Sequence, residues 1–219
     1  MINVNALQQG KSVTSPFKYA LINKLLPLEA CKNLVKELPK ENNFLSVRNI
    51  GSDKTYKVVN NILLRLEDNK YDDKAKHPPK WKTLVKALVN TDYTSALGSL
   101  LQEDLSDCSQ EITFKQYGRG NYMSPHTDRS EVKATHLIFL NSYWEKAWGG
   151  QLCFLDPQHK ILKIIQPLWY NSIAFVRSEN SWHCVKPCQI DNPSRLAGQV
   201  VFWNTRKRDV APGRNKISV

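Results

Sequence analysis

The sequence predicts an α+β protein with a mostly β core, in which an antiparallel double sheet forms a jelly roll or cupin-like barrel, the double-stranded β-helix. Helical periodicity is confined to the first half of the chain. From Ile112 onward, about seven short runs rich in Val, Ile and Phe follow one another. Turns containing Gly, Pro, Asn or Ser separate these runs, as in sandwiches and barrels. We expect the preceding helices to pack on one outer face of the sheet.

The first half of the chain is expected to hold strands and three helices. A short strand in "FKYALIN" precedes a helix from about Leu28 to Leu38, which Pro39 ends. Residues 49–80 are polar, with one strand and a loop rich in Lys, Asp and Pro. Two further helices are expected in "PKWKTLVKALVNTD" and "YTSALGSLLQEDLSD", and a pair of prolines suits the start of the first.

The second half is expected to supply the barrel strands. They are "EITFKQYG", "ATHLIFLN", "GGQLCFLD", "KILKIIQP", "SIAFVRS", "HCVKPCQ" and "RLAGQVVFWN". No internal repeat is visible, and no linker is long enough to force a second domain. We therefore expect a single domain over 1–219. It would consist of a mixed helical and strand support region at 1–110, a catalytic jelly-roll core at 111–205 and a basic C-terminal tail at 206–219.

Composition limits the partners and the location. The formal net charge is +11, but the lysines of the first half alternate with acids, which is typical of solvated surfaces and does not favour nucleic acid. The charge favours anionic partners such as a carboxylate substrate. No apolar run approaches the roughly 20 residues of a membrane helix, and the N-terminus lacks the pattern of a secretory signal. Five scattered cysteines argue against a disulfide framework, so we expect a cytoplasmic location.

A candidate metal site begins in "SPHTD", where His126 and Asp128 follow a strand and a Gly-rich turn. Residues i and i+2 of an extended segment point to the same side. The pattern alone is weak, because a loop Asx turn beside a surface histidine looks the same. His183, 55 positions after Asp128, adds a second imidazole at the start of a late strand. Two imidazoles and one carboxylate with open positions favour non-haem Fe(II), whereas zinc usually takes a closed tetrahedron.

Arg195 is the candidate for binding an anionic co-substrate. It stands twelve residues after His183 in "SRLAGQVVFW", beside two small residues. A guanidinium inside a barrel is unfavourable unless it meets an anion, and its planar fork suits a carboxylate. On the residues alone, an exposed arginine at the start of a strand remains an alternative.

Taken in order, these segments resemble the catalytic core of the Fe(II)- and 2-oxoglutarate-dependent dioxygenases, specifically the prolyl hydroxylase-like branch. The resemblance spans about residues 114–204 and rests on "YGRGNYMSPHTD", "LIFLN", "WGGQLCF", "HCVKP" and "SRLAGQVVFW". The segment "FKYALINKLLPLEACKNLVKELP" is also similar to the strand and helix that open many members. Each motif is unspecific, but all five occur in the family's order.

The resemblance implies roles for the candidate residues. His126, Asp128 and His183 would hold Fe(II), and Arg195 would pair with the distal carboxylate of 2-oxoglutarate, whose other end would chelate the metal. O₂ would be the oxidant, and the resemblance allows for ascorbate. Members that halogenate have Gly or Ala in place of Asp128, so the carboxylate here points to hydroxylation.

Further positions match the family less completely. Tyr117 falls where the family often has a tyrosine lining the co-substrate pocket. Phe139 replaces a tyrosine that hydrogen-bonds the co-substrate in some relatives, so that contact would be absent or supplied by Tyr117 or Thr135. Cys184 follows the distal histidine where several relatives have an acid.

The implied reaction hydroxylates an unactivated C–H bond of an amino acid, proline or another, free or peptide-bound, and releases succinate and CO₂. Alternatives are the same chemistry on another small anionic metabolite, such as a sugar acid, and a non-catalytic cupin-like binding protein. Nucleic-acid demethylases resemble the same triad followed by two arginines six apart, but Val201 stands six positions after Arg195. Residues that could border the substrate are Tyr122, Arg129, Trp144, Trp148, Arg177 and Trp182.

Overall fold

The computed structural model describes residues 1–39, 45–49, 55–65 and 77–204. Within these ranges the helices are α1 (Val4–Gln8), α2 (Leu28–Lys36), α3 (Pro79–Leu88) and α4 (Thr91–Leu101), and a 3₁₀ turn spans Lys146–Trp148. The strands are β1 (Lys11–Val13), β2 (Tyr19–Asn23), β3 (Leu45–Asn49), β4 (Tyr56–Arg65), β5 (Cys108–Tyr117), β6 (Tyr122–His126), β7 (Val132–Phe139), β8 (Leu152–Leu155), β9 (Ile161–Ile165), β10 (Asn171–Val176), β11 (His183–Val185) and β12 (Arg195–Asn204).

The strands form one curled antiparallel sheet, which confirms the predicted jelly-roll class. Their order is β1-β2-β10-β7-β12-β5-β4-β6-β11-β8-β9, with β3 paired to β4. Strand β4 pairs along β5 and also with β6 at Tyr56 and Met123, so the sheet turns over at this strand. The larger layer therefore contains, in spatial order, β1, β2, β10, β7, β12, β5 and β4. The smaller layer contains β6, β11, β8 and β9. Each of the seven predicted core strands overlaps an observed one.

The helices pack on the outer face of the larger layer, as the sequence predicted. Trp81 of α3 is fully buried and donates its indole N–H to the Leu34 carbonyl of α2 at 3.1 Å. Its ring meets that of Phe114 of β5 edge to face, with the centroids 4.7 Å apart. One tryptophan thus ties two helices to the sheet. Helix α2 ends at Lys36, two residues before the predicted end. Pro39 explains the difference, because a proline disfavours the helical conformation of the residue before it.

A second apolar cluster fills the space between the two layers. At one end, Phe17 and Tyr19 meet Phe154 and Phe175, with ring centroids 4.4–6.4 Å apart. The cluster continues through a group of buried residues from both layers: Tyr117, Leu137, Phe139, Leu152, Ile173 and Val185. The candidate site residues lie in this apolar interior between the two layers.

Residues from both halves of the chain build the sheet. Strand β2 pairs with β10, and β4 pairs with β5, so the N-terminal region supplies interior strands as well as helices. The boundary of the core at residues 110 and 111 stays a prediction. The basic tail at 206–219 lies outside the described residues, as do residues 51–54 and 66–76 of the Lys-rich 51–80 segment.

The described helices are short. The longest has eleven residues, and none is long and apolar enough to cross a membrane. The expected cytoplasmic location stays a prediction.

Candidate metal centre

His126, Asp128 and His183 come together at one end of the barrel interior. His126 ends β6 and His183 begins β11, and the two histidines are direct partners in the pairing of these strands. Their Nε2 atoms lie 3.8 and 3.9 Å from the same oxygen, Oδ1 of Asp128. The three candidate ligand atoms all lie within 4.8 Å of one another. Two imidazoles and one carboxylate therefore converge on a single point.

The backbone fixes which ring nitrogen of each histidine faces this point. Nδ1 of His126 lies 2.8 Å from the Ser124 carbonyl, and Nδ1 of His183 lies 2.9 Å from the Ser181 carbonyl. A carbonyl can only accept a hydrogen bond, so each Nδ1 carries the proton and each neutral Nε2 keeps its lone pair toward the centre. Such hydrogen bonds to the far side of a histidine are typical of metal ligands.

The carboxylate of Asp128 is oriented by the neighbouring strand. Thr135 of β7, which is 1% exposed, donates its hydroxyl hydrogen to Oδ2 at 2.8 Å. This bond leaves Oδ1 turned toward the histidines. The sequence suggested Thr135 as a contact of the co-substrate, but its hydroxyl hydrogen is directed to the aspartate.

The two arginines nearest Asp128 are matched by acids. Arg129 donates to Glu131 at 2.8 Å. Partial burial alone would raise the pKa of the Glu131 carboxyl, but hydrogen bonds from its own backbone, from Arg129 and from Ser130 together hold that pKa below its usual value. Arg177, directly after β10, pairs with Glu179 and donates its Nε–H to the backbone carbonyl of Asp128 at 3.2 Å. Arg177 therefore supports the loop that carries the aspartate.

Arg195 lies in the same interior as the metal centre. It is 1% exposed, and its guanidinium carbon lies 4.6 Å from the Tyr117 ring and 5.2 Å from the Phe139 ring. Its Nε and Nη2 atoms have no hydrogen-bond partner among the described residues. Burial lowers the pKa of the guanidinium from its ordinary value, because the charged form is desolvated. A buried cation with unused donors fits a carboxylate from a bound molecule.

Neighbouring residues pack closely around the side chain of Arg195. A Cβ at Gly150, whose φ is +68°, would lie 3.2 Å from Cδ of Arg195 and 2.8 Å from Sγ of Cys188. Burial raises the pKa of Tyr117 to about 12 and that of Cys188 to about 11, so both are neutral at physiological pH. The sequence motif "WGGQLCF" signalled this segment, but only the fold shows that its second glycine makes room for the arginine.

The remaining predicted substrate residues lie in three places. Trp182, next to His183, packs against His159 with centroids 4.8 Å apart. Trp148 packs on Trp144 at 5.5 Å, and Trp144 borders Gly150, so this pair lies toward Arg195. Tyr122 is half-buried on β6 and pairs with Lys57 of β4. His159, beside Trp182, was not among the residues predicted from the sequence, because an isolated histidine in a turn belongs to no motif.

Comparison with known proteins agrees with this site. Residues 112–204 match the family model described as the 2OG-Fe(II) oxygenase superfamily. This range contains all three candidate metal ligands and Arg195. A search of curated proteins finds no significant match.

Solved structures share the fold at low sequence identity. A Pseudomonas putida prolyl-4-hydroxylase superposes with a TM-score of 0.62 at 17% identity, covering 91% of this chain and 96% of that one. A Trichoplax adhaerens prolyl hydroxylase, in complex with a hypoxia inducible factor peptide fragment, gives a TM-score of 0.60 at 17% identity and covers 96% and 91%. A Burkholderia pseudomallei oxidoreductase of the 2OG-Fe(II) oxygenase family gives 0.56 at 14%, covering 81% and 78%.

The barrel, its converging side chains and the family match over residues 112–204 are those expected of a 2OG-Fe(II) oxygenase. Members of that superfamily use Fe(II) as cofactor, with 2-oxoglutarate and O₂ as co-substrates, and the His126, Asp128 and His183 cluster fits such a metal. Within this class, its fold resembles the prolyl hydroxylase-like branch.

Proposed function

We propose that this oxygenase hydroxylates an unactivated C–H bond of an amino-acid residue, proline or another, within a peptide, and releases succinate and CO₂. One observation carries the proposal. His126, Asp128 and His183 converge within 4.8 Å in the same interior as Arg195, a buried arginine with unused donors. The residues present therefore fit both a metal ion and a dicarboxylate.

The proposed roles follow from the atoms that each side chain presents. His126 and His183 would bind the metal through Nε2, and Asp128 would bind it through Oδ1. Thr135 would keep the aspartate in this orientation. When bound, the iron supplies the O₂-dependent oxidation that characterises the class.

Arg195 would bind the distal carboxylate of 2-oxoglutarate. The rings of Tyr117 and Phe139 flank its guanidinium and exclude water, which strengthens the charge pairing in a medium of low dielectric constant. These side chains lie in the segment predicted to be the catalytic core, 111–205.

The arginines near the metal centre support a peptide over a free amino acid. A free amino acid carries its own carboxylate and would need an available cation beside the metal. Arg129 is engaged by Glu131, and Arg177 by Glu179 and the Asp128 carbonyl. The Trichoplax neighbour was solved with a peptide fragment, so a peptide can occupy a fold of this kind.

A succinate-release screen tests the substrate. The purified enzyme, with Fe(II), ascorbate and 2-oxoglutarate, is offered peptides that contain proline, the same peptides with alanine in its place, free amino acids and sugar acids. We expect proline-containing peptides, or peptides with another shared residue, to stimulate succinate release and to gain one oxygen atom by mass spectrometry. Stimulation by a free amino acid or a sugar acid alone would contradict the peptide proposal.

Variants test the metal roles separately. Asp128→Ala and His126→Ala should abolish both succinate release and the anaerobic visible absorption of the Fe(II)–2-oxoglutarate complex. Asp191→Ala is the matched control, because this aspartate is exposed and pairs with Arg119 at the surface. Full absorption in Asp128→Ala would refute the proposed ligand set.

A further inference from the structure

Cys153 and Cys184 are two thiols that none of the roles above uses, on the opposite face of the sheet from the His183 side chain. Cys184 directly follows His183 on β11, and Cys153 precedes Phe154 on β8. The two cysteines are direct partners in the antiparallel pairing of these strands. Directly opposed residues point to the same face of a sheet, so the two sulfur atoms face each other.

The hydrogen-bond ladder sets the spacing of this pair. The Leu155 N–H donates to the Trp182 carbonyl at 2.9 Å. On the other side, the Lys186 N–H donates to the Gln151 carbonyl at 3.0 Å. These bonds lie two residues to either side of the cysteines, and hydrogen-bonded pairs recur at every second residue of an antiparallel ladder. The cysteines are therefore a hydrogen-bonded pair with Cα atoms about 5.5 Å apart, within the range that a disulfide spans.

We propose that Cys153 and Cys184 are a site of reversible oxidation, at which a hydroperoxide converts the two thiols to a disulfide. Cys184 is half-buried and is reached first, whereas Cys153 is 0% exposed. The Cys184 sulfur attacks one peroxide oxygen, the O–O bond breaks, and a sulfenic acid forms together with an alcohol, or water when the oxidant is hydrogen peroxide. The Cys153 sulfur then displaces the hydroxyl group as water, and the S–S bond forms. Two thiols lose two electrons and two protons, and one peroxide is reduced.

The other cysteines have different surroundings. Cys31 is buried in the helical core cluster, and Cys108 is the direct partner of Asn204 in the pairing of β5 with β12. Cys188 packs beside Gly150 near Arg195. These three thiols are natural controls for the selectivity of oxidation.

The disulfide would reach the metal centre through one peptide bond. Closing the S–S bond fixes β8 to β11 and changes the side-chain geometry at the residue next to His183, whose ring orientation depends on the Ser181 carbonyl of the same segment. Disturbing such a supporting contact weakens metal binding by about tenfold or more. This step rests on the proposed function, whereas disulfide formation does not.

Mass spectrometry tests disulfide formation. The reduced protein is treated with hydrogen peroxide at a stoichiometric amount, and its intact mass and non-reduced digest are measured. We expect the loss of two hydrogen atoms and a linked peptide pair that joins Cys153 to Cys184, both reversed by a dithiol. The Cys31→Ser control should form the same link, and Cys184→Ser should not. A link to another cysteine, a link between two copies of the chain, or oxidation of Cys184 without a link would overturn the proposal.

Metal affinity tests the consequence. Mn(II) binding is titrated before and after oxidation, in the wild type and in Cys153→Ala, with circular dichroism to verify folding. We expect about a tenfold weaker affinity in the oxidised wild type only. An unchanged affinity in a fully linked protein would remove the coupling to the metal. Succinate release by the reduced enzyme reports separately on the proposed function, so failure of one can be told from failure of the other.

Discussion

At the scale of single residues, the site depends on residues that bind neither the metal nor the co-substrate. Thr135 holds Oδ2 of Asp128 so that Oδ1 faces the two histidines. Gly150 leaves the space into which Arg195 is packed. Neither residue type suggests a function when read alone.

Replacing Thr135 by valine keeps the shape of the side chain and removes the hydrogen bond to Asp128. We expect Mn(II) affinity to fall by about 10–100-fold, the usual effect of losing an outer-shell partner. Thr135→Ser, which keeps the hydroxyl, should retain most of the affinity. Isothermal titration of both variants measures the difference, and equal affinities in wild type and Thr135→Val would show that the bond does not orient the ligand.

Replacing Gly150 by alanine should displace Arg195. The new Cβ would lie 3.2 Å from its Cδ and 2.8 Å from Sγ of Cys188. We expect 2-oxoglutarate to bind about tenfold more weakly, a loss of about 1.4 kcal/mol, with metal affinity unchanged. Gly120→Ala is the matched control, because Gly120 has a similar φ of +70° but nothing within 4 Å of a new Cβ. If both variants lose co-substrate affinity equally, backbone strain and not the arginine is responsible.

At the scale of elements, a buried hydrogen-bond chain joins helix α4 to three strands. Tyr93 of α4 lies 2.7 Å from Nδ1 of His136, and Nε2 of His136 lies 3.1 Å from the Ser172 hydroxyl. Ser172 donates to the Ile22 carbonyl at 3.4 Å. The tyrosine therefore donates to a neutral imidazole, which donates onward. This chain crosses from α4 through β7 and β10 to β2.

Tyr93→Phe should destabilise the protein by about 1–3 kcal/mol, because it leaves the buried Nδ1 of His136 without its donor. Urea unfolding measures the change. Tyr143→Phe is the control, since Tyr143 is 61% exposed and its bond to Glu145 lies at the surface. That variant should unfold within about 0.5 kcal/mol of the wild type. A similar loss of unfolding free energy in both variants would mean that the buried hydrogen bond of Tyr93 stabilises the fold no more than the exposed one of Tyr143.

The buried His136 of this hydrogen-bond chain predicts that the free energy of unfolding depends on pH. Burial lowers the pKa of His136 to about 3, whereas the unfolded chain has the ordinary value near 6.5. Below pH 6.5 the unfolded state takes up a proton that the folded state does not, so stability falls as pH falls and is unaffected above that value. The slope approaches about 1.4 kcal/mol per pH unit. Urea unfolding of the metal-free protein should show a steeper loss between about pH 6.5 and 5 in wild type than in His136→Gln.

At the scale of the whole molecule, binding of the metal and of 2-oxoglutarate should each stabilise the fold. Ligands that bind only the folded state add about 2.7 kcal/mol at a hundredfold excess over Kd. We expect Mn(II) to raise the melting temperature of wild type but not of Asp128→Ala. In Arg195→Met, the Mn(II) effect should persist while the added effect of 2-oxoglutarate disappears. Loss of both effects in Arg195→Met would mean that the arginine is needed for the fold itself.

Local patterns predicted much of this molecule. Runs of β-branched and aromatic residues between turns predicted the seven core strands, and "SPHTD" with His183 and Arg195 predicted residues that the fold does bring into one interior. Strand β6 was missed because "YMSPH" has a proline and polar residues. The contacts of Thr135, Arg177 and Gly150 depend on which strands lie side by side. Strand register is set by the whole sheet, so no local pattern contains it.

The place of β2 beside β10 also bears on how the protein is made. Ser172 pairs with Ile22, 150 residues away along the chain. Closing so long a loop is entropically unfavourable, and such non-local pairing makes folding slow compared with helical proteins of this length. During synthesis, His126 and Asp128 leave the ribosome before His183 and before the strand that completes the larger layer. Iron loading is therefore expected to follow completion of the barrel, and the chain must stay free of aggregation until its last strands arrive.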